Sequence, residues 1–192
     1  KSCWQKRCSL MFKYFFVIFF IIFYSNVNAN NKEKIIENLK STKNLSFQFE
    51  QNINGKIENG NCTIEYQKKI FCKYVRSNNK VLVSNGKSLV IKTRVAYYRY
   101  ALKNTPLELI LDKKFLINKI YKLKERIIDE TFINYTIVEN DNEINIFFNK
   151  QTFNLIGWQT KDMYQNLNIT FISSIRKNQI ITKDLFKLPS PH

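Results

Sequence analysis

From Leu45 onward, apolar and polar residues alternate, segment after segment, and short turn motifs separate the segments. This repeated period of two constrains the fold more than any other feature. Leu45, Phe47, Phe49 and Ile53 alternate with Ser46, Gln48, Glu50 and Asn52, which predicts a strand with one buried face. Asn54-Gly55 is a two-residue hairpin signal, because both residues tolerate the positive φ of a type I′ turn. A second strand follows through Gly60 to Tyr66, Gln67-Lys68-Lys69 turns the chain, and 70–75 returns. Asn78-Asn79 turns again, and Val81-Leu82-Val83 runs into a hairpin at Ser84-Asn85-Gly86-Lys87. Segment 88–93 pairs back, and 95–101 is a further, tyrosine-rich strand.

Helical spacing precedes this pattern and interrupts it once. Asn31 caps a short helix over 32–39, with Ile35, Ile36 and Leu39 on one face. Thr105-Pro106-Leu107-Glu108 carries an N-cap threonine, a proline at the first helical position and a glutamate placed to close a capping box. Leu107, Ile110 and Leu111 follow, and a second helical stretch spans 113–124. Period two then resumes over 132–138, 143–148, 153–160 and 167–174, with a turn at Asn140-Asp141-Asn142, and Pro189 and Pro191 lie in an extended tail. Strands joined by short turns pair antiparallel. The expected fold is therefore α+β: one domain over 30–192, a large curved antiparallel sheet with helices covering one face. Such a sheet encloses apolar volume, which suits an apolar ligand.

Scarce residues narrow the chemistry. The single histidine, His192, is the last residue, so a Ser-His-Asp triad, a Cys-His dyad or a histidine zinc site would depend on a frayed end. The four glycines, Gly55, Gly60, Gly86 and Gly157, are too dispersed for a phosphate loop or a dinucleotide fingerprint. Binding rather than catalysis is expected, with neither metal nor cofactor. The net charge is +16, and +12 over residues 30–192. Those charges are mostly scattered lysines, and the basic run over 113–126 reads as a solvated helix face, so no nucleic-acid partner is expected.

Residues 1–29 read as an N-terminal extension and a cleaved signal peptide. Met11 is a plausible start, Lys13 the positive flank, and 14–24 an apolar run of eleven. Ser25-Asn26 breaks it, and Val27-Asn28-Ala29 fits cleavage after Ala29. Eleven residues fall short of the roughly 20 that span a bilayer. Cys3 and Cys8 would leave with the signal, while Cys62 and Cys72 remain in an oxidising compartment. A hairpin centred on Gln67 sets residue 62 opposite 72. Opposed Cβ atoms lie about 4.5–5.5 Å apart, so a Cys62–Cys72 disulfide is expected. No cysteine follows the apolar run directly, so the exported protein is expected to carry no lipid anchor of its own.

In this order, the chain resembles the LolA family of periplasmic lipoprotein carriers over roughly 31–189. The resemblance rests on Leu39 with Phe47-x-Phe49-x-Gln51, on Gly60, and on Val83-Ser84-Asn85-Gly86-Lys87. It continues through Thr105-Pro106-Leu107 with Leu109-Ile110-Leu111, Trp158 with Asp162 and Thr170, and Phe186 with Pro189. The resemblance implies an incomplete β-barrel, helices over its concave face and a hydrophobic cavity beneath a helical lid. It implies that acyl chains of lipoproteins, released by an inner-membrane ABC transporter, are carried to an outer-membrane acceptor, either LolB-like or the membrane itself. The sister family LolB shares the fold but is itself a lipoprotein; the missing lipobox favours LolA. The family usually has an arginine-proline pair after the second strand, the arginine being linked to lid opening. Tyr66-Gln67 stands there instead, with Lys68 or Lys69 as the nearby cation. Cavity candidates are Leu45, Phe47, Phe49, Ile64, Phe71, Val83, Leu89 and Ile91, with Leu107, Ile110 and Leu111 on the lid. Each also fits a filled core position. Two other functions suit the same residues: a periplasmic lipid-sensing or glycolipid-binding module, or a cationic protein docking on anionic surfaces.

Overall fold

A computed structural model describes residues 30–191 except 67, 76, 140–141 and 162–164. The signal segment with Met11, Cys3 and Cys8, the turn residues Gln67, Asn140 and Asp141, and also Asp162 and His192, lie outside the described residues. Helix α1 (Asn31–Ser41) precedes six strands: β1 (Asn44–Ile53), β2 (Lys56–Glu65), β3 (Lys69–Tyr74), β4 (Val81–Asn85), β5 (Ser88–Lys92) and β6 (Tyr97–Ala101). A 3₁₀ turn (Leu102–Asn104), α2 (Pro106–Leu111) and α3 (Lys113–Lys122) follow. Five strands complete the chain: β7 (Arg126–Ile128), β8 (Phe132–Glu139), β9 (Asn142–Asn149), β10 (Leu155–Lys161) and β11 (Leu167–Lys177).

All eleven strands form one sheet in the order β6-β5-β4-β3-β2-β1-β11-β10-β9-β8-β7. Each neighbouring pair is antiparallel, so the sheet is two meanders joined where β1 meets β11. The insert leaves one edge, at β6, and re-enters at the other, at β7. It must therefore cross a face of the sheet, and with α1 it covers that inner face. The expected turns form: Asn54 and Gly55 both have positive φ (49° and 87°), as do Asn78 and Asn79 (49° and 56°).

Four details depart from expectation. β7 was not anticipated, because three residues carry no readable period. Phe153 lies in a turn with φ 56°, and the strand starts at Leu155 instead. β11 runs on to Lys177 through an irregularity at Ser174, whose φ is 52°. The capping box is not made: Thr105 Oγ1 donates backward to the Leu102 carbonyl (2.8 Å), and Glu108 pairs with Lys68. The 3₁₀ turn offers the threonine a nearer acceptor, and an ammonium is a stronger partner for the glutamate than a backbone N–H.

Along β8 and β9 the inner face is filled. Ile133, Tyr135, Ile144, Ile146 and Phe148 are each 0% exposed under the helices. Ile35, Ile36 and Leu39 of α1 and Leu116 and Ile120 of α3 join them in one cluster, and α1 packs on α3. Polar bonds fix the layer: Asn31 Nδ2 to Glu125 (3.1 Å), Tyr135 OH to Glu125 (3.2 Å), and Lys113 Nζ to the Thr42 carbonyl at the end of α1 (2.8 Å).

Candidate functional site

The inner face of the β1–β6 arm follows from register. Phe49 opposes Gly60, Phe47 opposes Cys62 and Leu45 opposes Ile64. Those three β2 residues face Tyr74, Cys72 and Ile70 of β3. Leu82 and Ser84 of β4 continue the rows, then Ile91 and Leu89 of β5. Gly60 is required here. A Cβ at that position would fall 2.2 Å from the Lys73 carbonyl oxygen and 2.8 Å from the Phe49 ring. That ring meets Tyr74 edge-on at 4.9 Å.

The helices leave a cleft of about 180 Å³ on this arm. Phe49, Ile70, Leu82, Leu89 and Trp158 line it from the sheet, together with the Cys62–Cys72 disulfide. Thr105, Pro106, Leu107 and Ile110 roof it. Gln51, Tyr74, Thr160, Lys161, Asn168 and Thr170 line it as well. The roof is one short helix held by Lys68, in the β2–β3 turn, whose ammonium lies 2.8 Å from Glu108 and 3.0 Å from Asp112. Lys69 pairs with Glu65 instead. Of the two lysines, Lys68 alone ties the turn to the roof through these ion pairs. Hydrogen bonds to Glu108 and then Asp112 raise the Lys68 pKa above its ordinary value, against a smaller opposing effect of burial. For Asp112, burial pushes the pKa up, but the Phe115 N–H, which the carboxylate accepts as the N-cap of α3, and Lys68 together hold it below the ordinary value.

The cavity candidates divide. Phe49, Leu89, Leu107 and Ile110 line the cleft. Leu45, Phe47, Ile64 and Leu111 sit in the core beside it, Phe47 with its ring edge-on to Trp158 at 6.4 Å. Ile91 is on the inner face but lies in a groove beside Tyr98 and Tyr100 near the β6 edge. Phe71 and Val83 are corrected: they pair with each other on the opposite face, because Phe71 opposes Thr63 while its neighbours Ile70 and Cys72 point inward. Val83 is still only 1% exposed. The C-terminal segment crosses that side, with Ser190 accepting a hydrogen bond from Lys92 Nζ (2.8 Å) and Phe186 under the Lys69 ammonium. Sequence reasoning missed Ile70, Tyr74, Leu82 and Trp158 as lining residues, and the polar set entirely. Alternation outward from the Cys62–Cys72 pair would have found the first two.

No cluster of three or more His, Cys, Asp or Glu among the described residues is arranged to hold a metal. No helix among them is long and apolar enough to cross a membrane. The site has an apolar floor, a narrow volume and a roof attached by ion pairs.

A family model described as outer membrane lipoprotein carrier protein LolA matches residues 40–189. No curated protein matches the chain. Among solved structures, an uncharacterized conserved protein from Thermus thermophilus is similar at TM-score 0.51 and 6% identity, covering 84% of this chain and 96% of that one. The LolA superfamily protein NE2245 from Nitrosomonas europaea is similar at TM-score 0.47 and 7% identity, covering 82% and 96%. LprF from Mycobacterium bovis is similar at TM-score 0.42 and 13% identity, covering 80% and 96%.

Proposed function

The chain belongs to the LolA family of outer membrane lipoprotein carrier proteins, and from that premise we propose that it is a periplasmic carrier. It takes the acyl chains of lipoproteins released from the inner membrane by an ABC transporter and delivers them to an outer-membrane acceptor, LolB-like or the membrane itself. It works by burial and release, not by catalysis. The single observation that supports this reading is the apolar cleft beneath α2, on a stretch of the inner face that the helices do not fill.

Burying an acyl chain is worth about 0.8 kcal/mol per methylene, so an extensive apolar surface is what holds it. The cleft, about 180 Å³, is smaller than the roughly 300–1,000 Å³ of ordinary ligand pockets. Loading therefore needs α2 to swing away. Its attachment suits that motion. Lys68, Glu108 and Asp112 keep about a quarter to a third of their side-chain surface in water. Ion pairs this exposed are worth about 0–1 kcal/mol each, enough to favour closure and little enough to release.

The test is release of lipoprotein. Purified protein starting at Asn30 is incubated with spheroplasts, and the soluble fraction is probed for lipoprotein bound to it. A soluble complex carrying acylated protein is the expected outcome. A complex with lipid alone would assign the cleft to a lipid-binding module on the same fold.

A further inference from the structure

A carrier of acyl chains needs only an apolar cleft, yet one end of this cleft is polar, with Thr160 and Thr170 buried and Gln51 and Asn168 partly buried. Gln51, Thr160, Asn168 and Thr170 face inward from three adjacent strands, because Gln51 opposes Thr170, which opposes Trp158, and Asn168 opposes Thr160. Thr170 is 3% exposed. Burying polar groups costs free energy unless they are hydrogen-bonded, and apolar residues would serve a plain tail as well.

The hydrogen bonds run in one direction. Tyr74 OH donates to Gln51 Oε1 (3.2 Å). Gln51 Nε2 donates to Asn168 Oδ1 (3.0 Å) and to Thr170 Oγ1 (3.2 Å). Gln51 has then spent both amide hydrogens. The chain ends on the Asn168 amide hydrogens and the Thr170 hydroxyl hydrogen, which have no other partner among the described residues. Thr160, beside them, adds a hydroxyl, and Lys161 lies exposed at the cleft margin. A network that terminates in donors offers a place for acceptors. We infer that this end is a subsite for carbonyl oxygens, the ester or amide groups that join acyl chains to a lipid backbone, while the tail lies against Ile70, Leu82, Leu89 and the disulfide. The inference rests on the carrier reading and deepens it. It makes the ligand an amphiphile with a fixed orientation, its linkage at the β10–β11 end and its tail under α2.

Trp158 is the one tryptophan of residues 30–192 and lines the cleft, so energy transfer from it reads occupancy. The probes are a pyrene-labelled alkane and the pyrene-labelled methyl ester of matched chain length. Hydrogen bonds to two donors, net of those lost to water, should make the ester bind about tenfold tighter. In the double variant Asn168→Ala, Thr170→Val, with folding checked by circular dichroism, the ratio of the two affinities should fall to about one. Equal affinities in the wild type, or a preference that survives in the folded double variant, would overturn the subsite and leave the carrier intact. Absence of transfer from either probe in the wild type would overturn the carrier reading and the subsite with it. If the double variant does not fold, Asn168→Ala alone, at a half-exposed position, takes its place and should lose part of the preference.

Discussion

The two arms of this sheet share strand type, alternation and lysine-rich loops, yet their inner faces differ. On the β7–β10 arm, α1 and α3 lie side by side and every inward isoleucine and aromatic residue of β8 and β9 is essentially buried. On the β1–β6 arm the six-residue α2 roofs the cleft, and Tyr98 and Tyr100 at the edge remain 53% and 42% exposed. Amphipathic helix length decides the difference. Ten or eleven residues with two or three inward side chains seal a sheet, and six residues roof a cleft. On the proposed function, the filled arm serves as the scaffold and the cleft on the incompletely filled arm as the ligand site. Stability and function are therefore expected to separate along the sheet.

The sharpest separation comes from truncating one residue in each arm. Phe148→Ala on the filled arm should cost about 3–5 kcal/mol, the usual loss for an aromatic ring from a sealed core. Leu107→Ala on the roof, where the side chain is half-buried, should cost about 1 kcal/mol. Urea midpoints of the two variants measure both. Similar losses would break the distinction between scaffold and roof. In a probe-binding assay the order should reverse, with the folded Leu107→Ala protein losing more affinity than its stability suggests.

The Cys62–Cys72 bridge sharpens the same contrast from the other side. It joins directly opposed inward residues of β2 and β3 on the arm whose core is interrupted by the cleft. Its ten-residue separation makes a short loop, so the stabilisation should be at or below about 3 kcal/mol, the value for a 15-residue loop. The Cys62→Ala, Cys72→Ala double variant should lower the urea midpoint accordingly, and unreduced wild-type protein should show no free thiol from this pair by mass spectrometry. Two free thiols in the exported protein would remove the bridge from the account.

Much of this arrangement was readable in the residues. The Asn54-Gly55 turn, the Asn78-Asn79 turn and the alternation of Leu45, Phe47 and Phe49 fixed the order and parity of the first arm, and the hairpin arithmetic around residue 67 gave the observed pairing of 62 with 72. Carried one residue further, the same arithmetic sets Phe71 opposite Thr63 and outward, but the large aromatic residue is read there as inward. Its outward partner Val83 is buried because the C-terminal segment returns across that face, a long-range contact that no local pattern announces. β7 was too short to show a period. The division between filled core and cleft depends on where helices land, so Phe47 and Phe49, equivalent in pattern, have different roles: Phe47 packs on Trp158 and Phe49 lines the cleft. The polar end of the cleft was hidden for a related reason, since Gln51 and Thr170 look like ordinary strand residues until register sets them opposite each other.

A smaller effect is expected at the roof's attachment. Lys68→Ala removes both ion pairs but leaves their exposed carboxylates hydrated. The stability loss should be at most about 1 kcal/mol, as for partly exposed pairs. Rates should respond more clearly: loading of a pyrene-labelled acyl probe, followed by stopped flow, should accelerate because closure is less favoured. Unchanged loading kinetics would mean that Lys68 holds the β2–β3 turn and not the roof.

The smallest effect tests the same attachment through protons. Asp112 titrates below its ordinary value in the folded protein. Its contribution is therefore complete above the usual carboxylate pKa of about 4 and is lost as the pH falls through the depressed folded value. Lys68, raised when folded, has the opposite sign: its contribution is complete below its ordinary pKa and disappears only as alkaline pH passes the raised value. Between these limits the attachment is flat with pH, and acid is what loosens it. Acid also removes the charge of Glu58, which Lys80 and Lys56 hold below the usual range against the effect of burial, so bulk acid unfolding does not isolate the roof. Asp112→Asn does. Asparagine caps a helix as well as aspartate, so the hydrogen bond from the Phe115 N–H survives while the pairing with Lys68 is lost. Wild type and variant should differ by at most about 1 kcal/mol at neutral pH, and urea midpoints measured across the acid range should converge below about pH 4. A constant gap at every pH would mean that the Asp112 charge adds nothing to stability, leaving Glu108 as the partner through which Lys68 holds the roof.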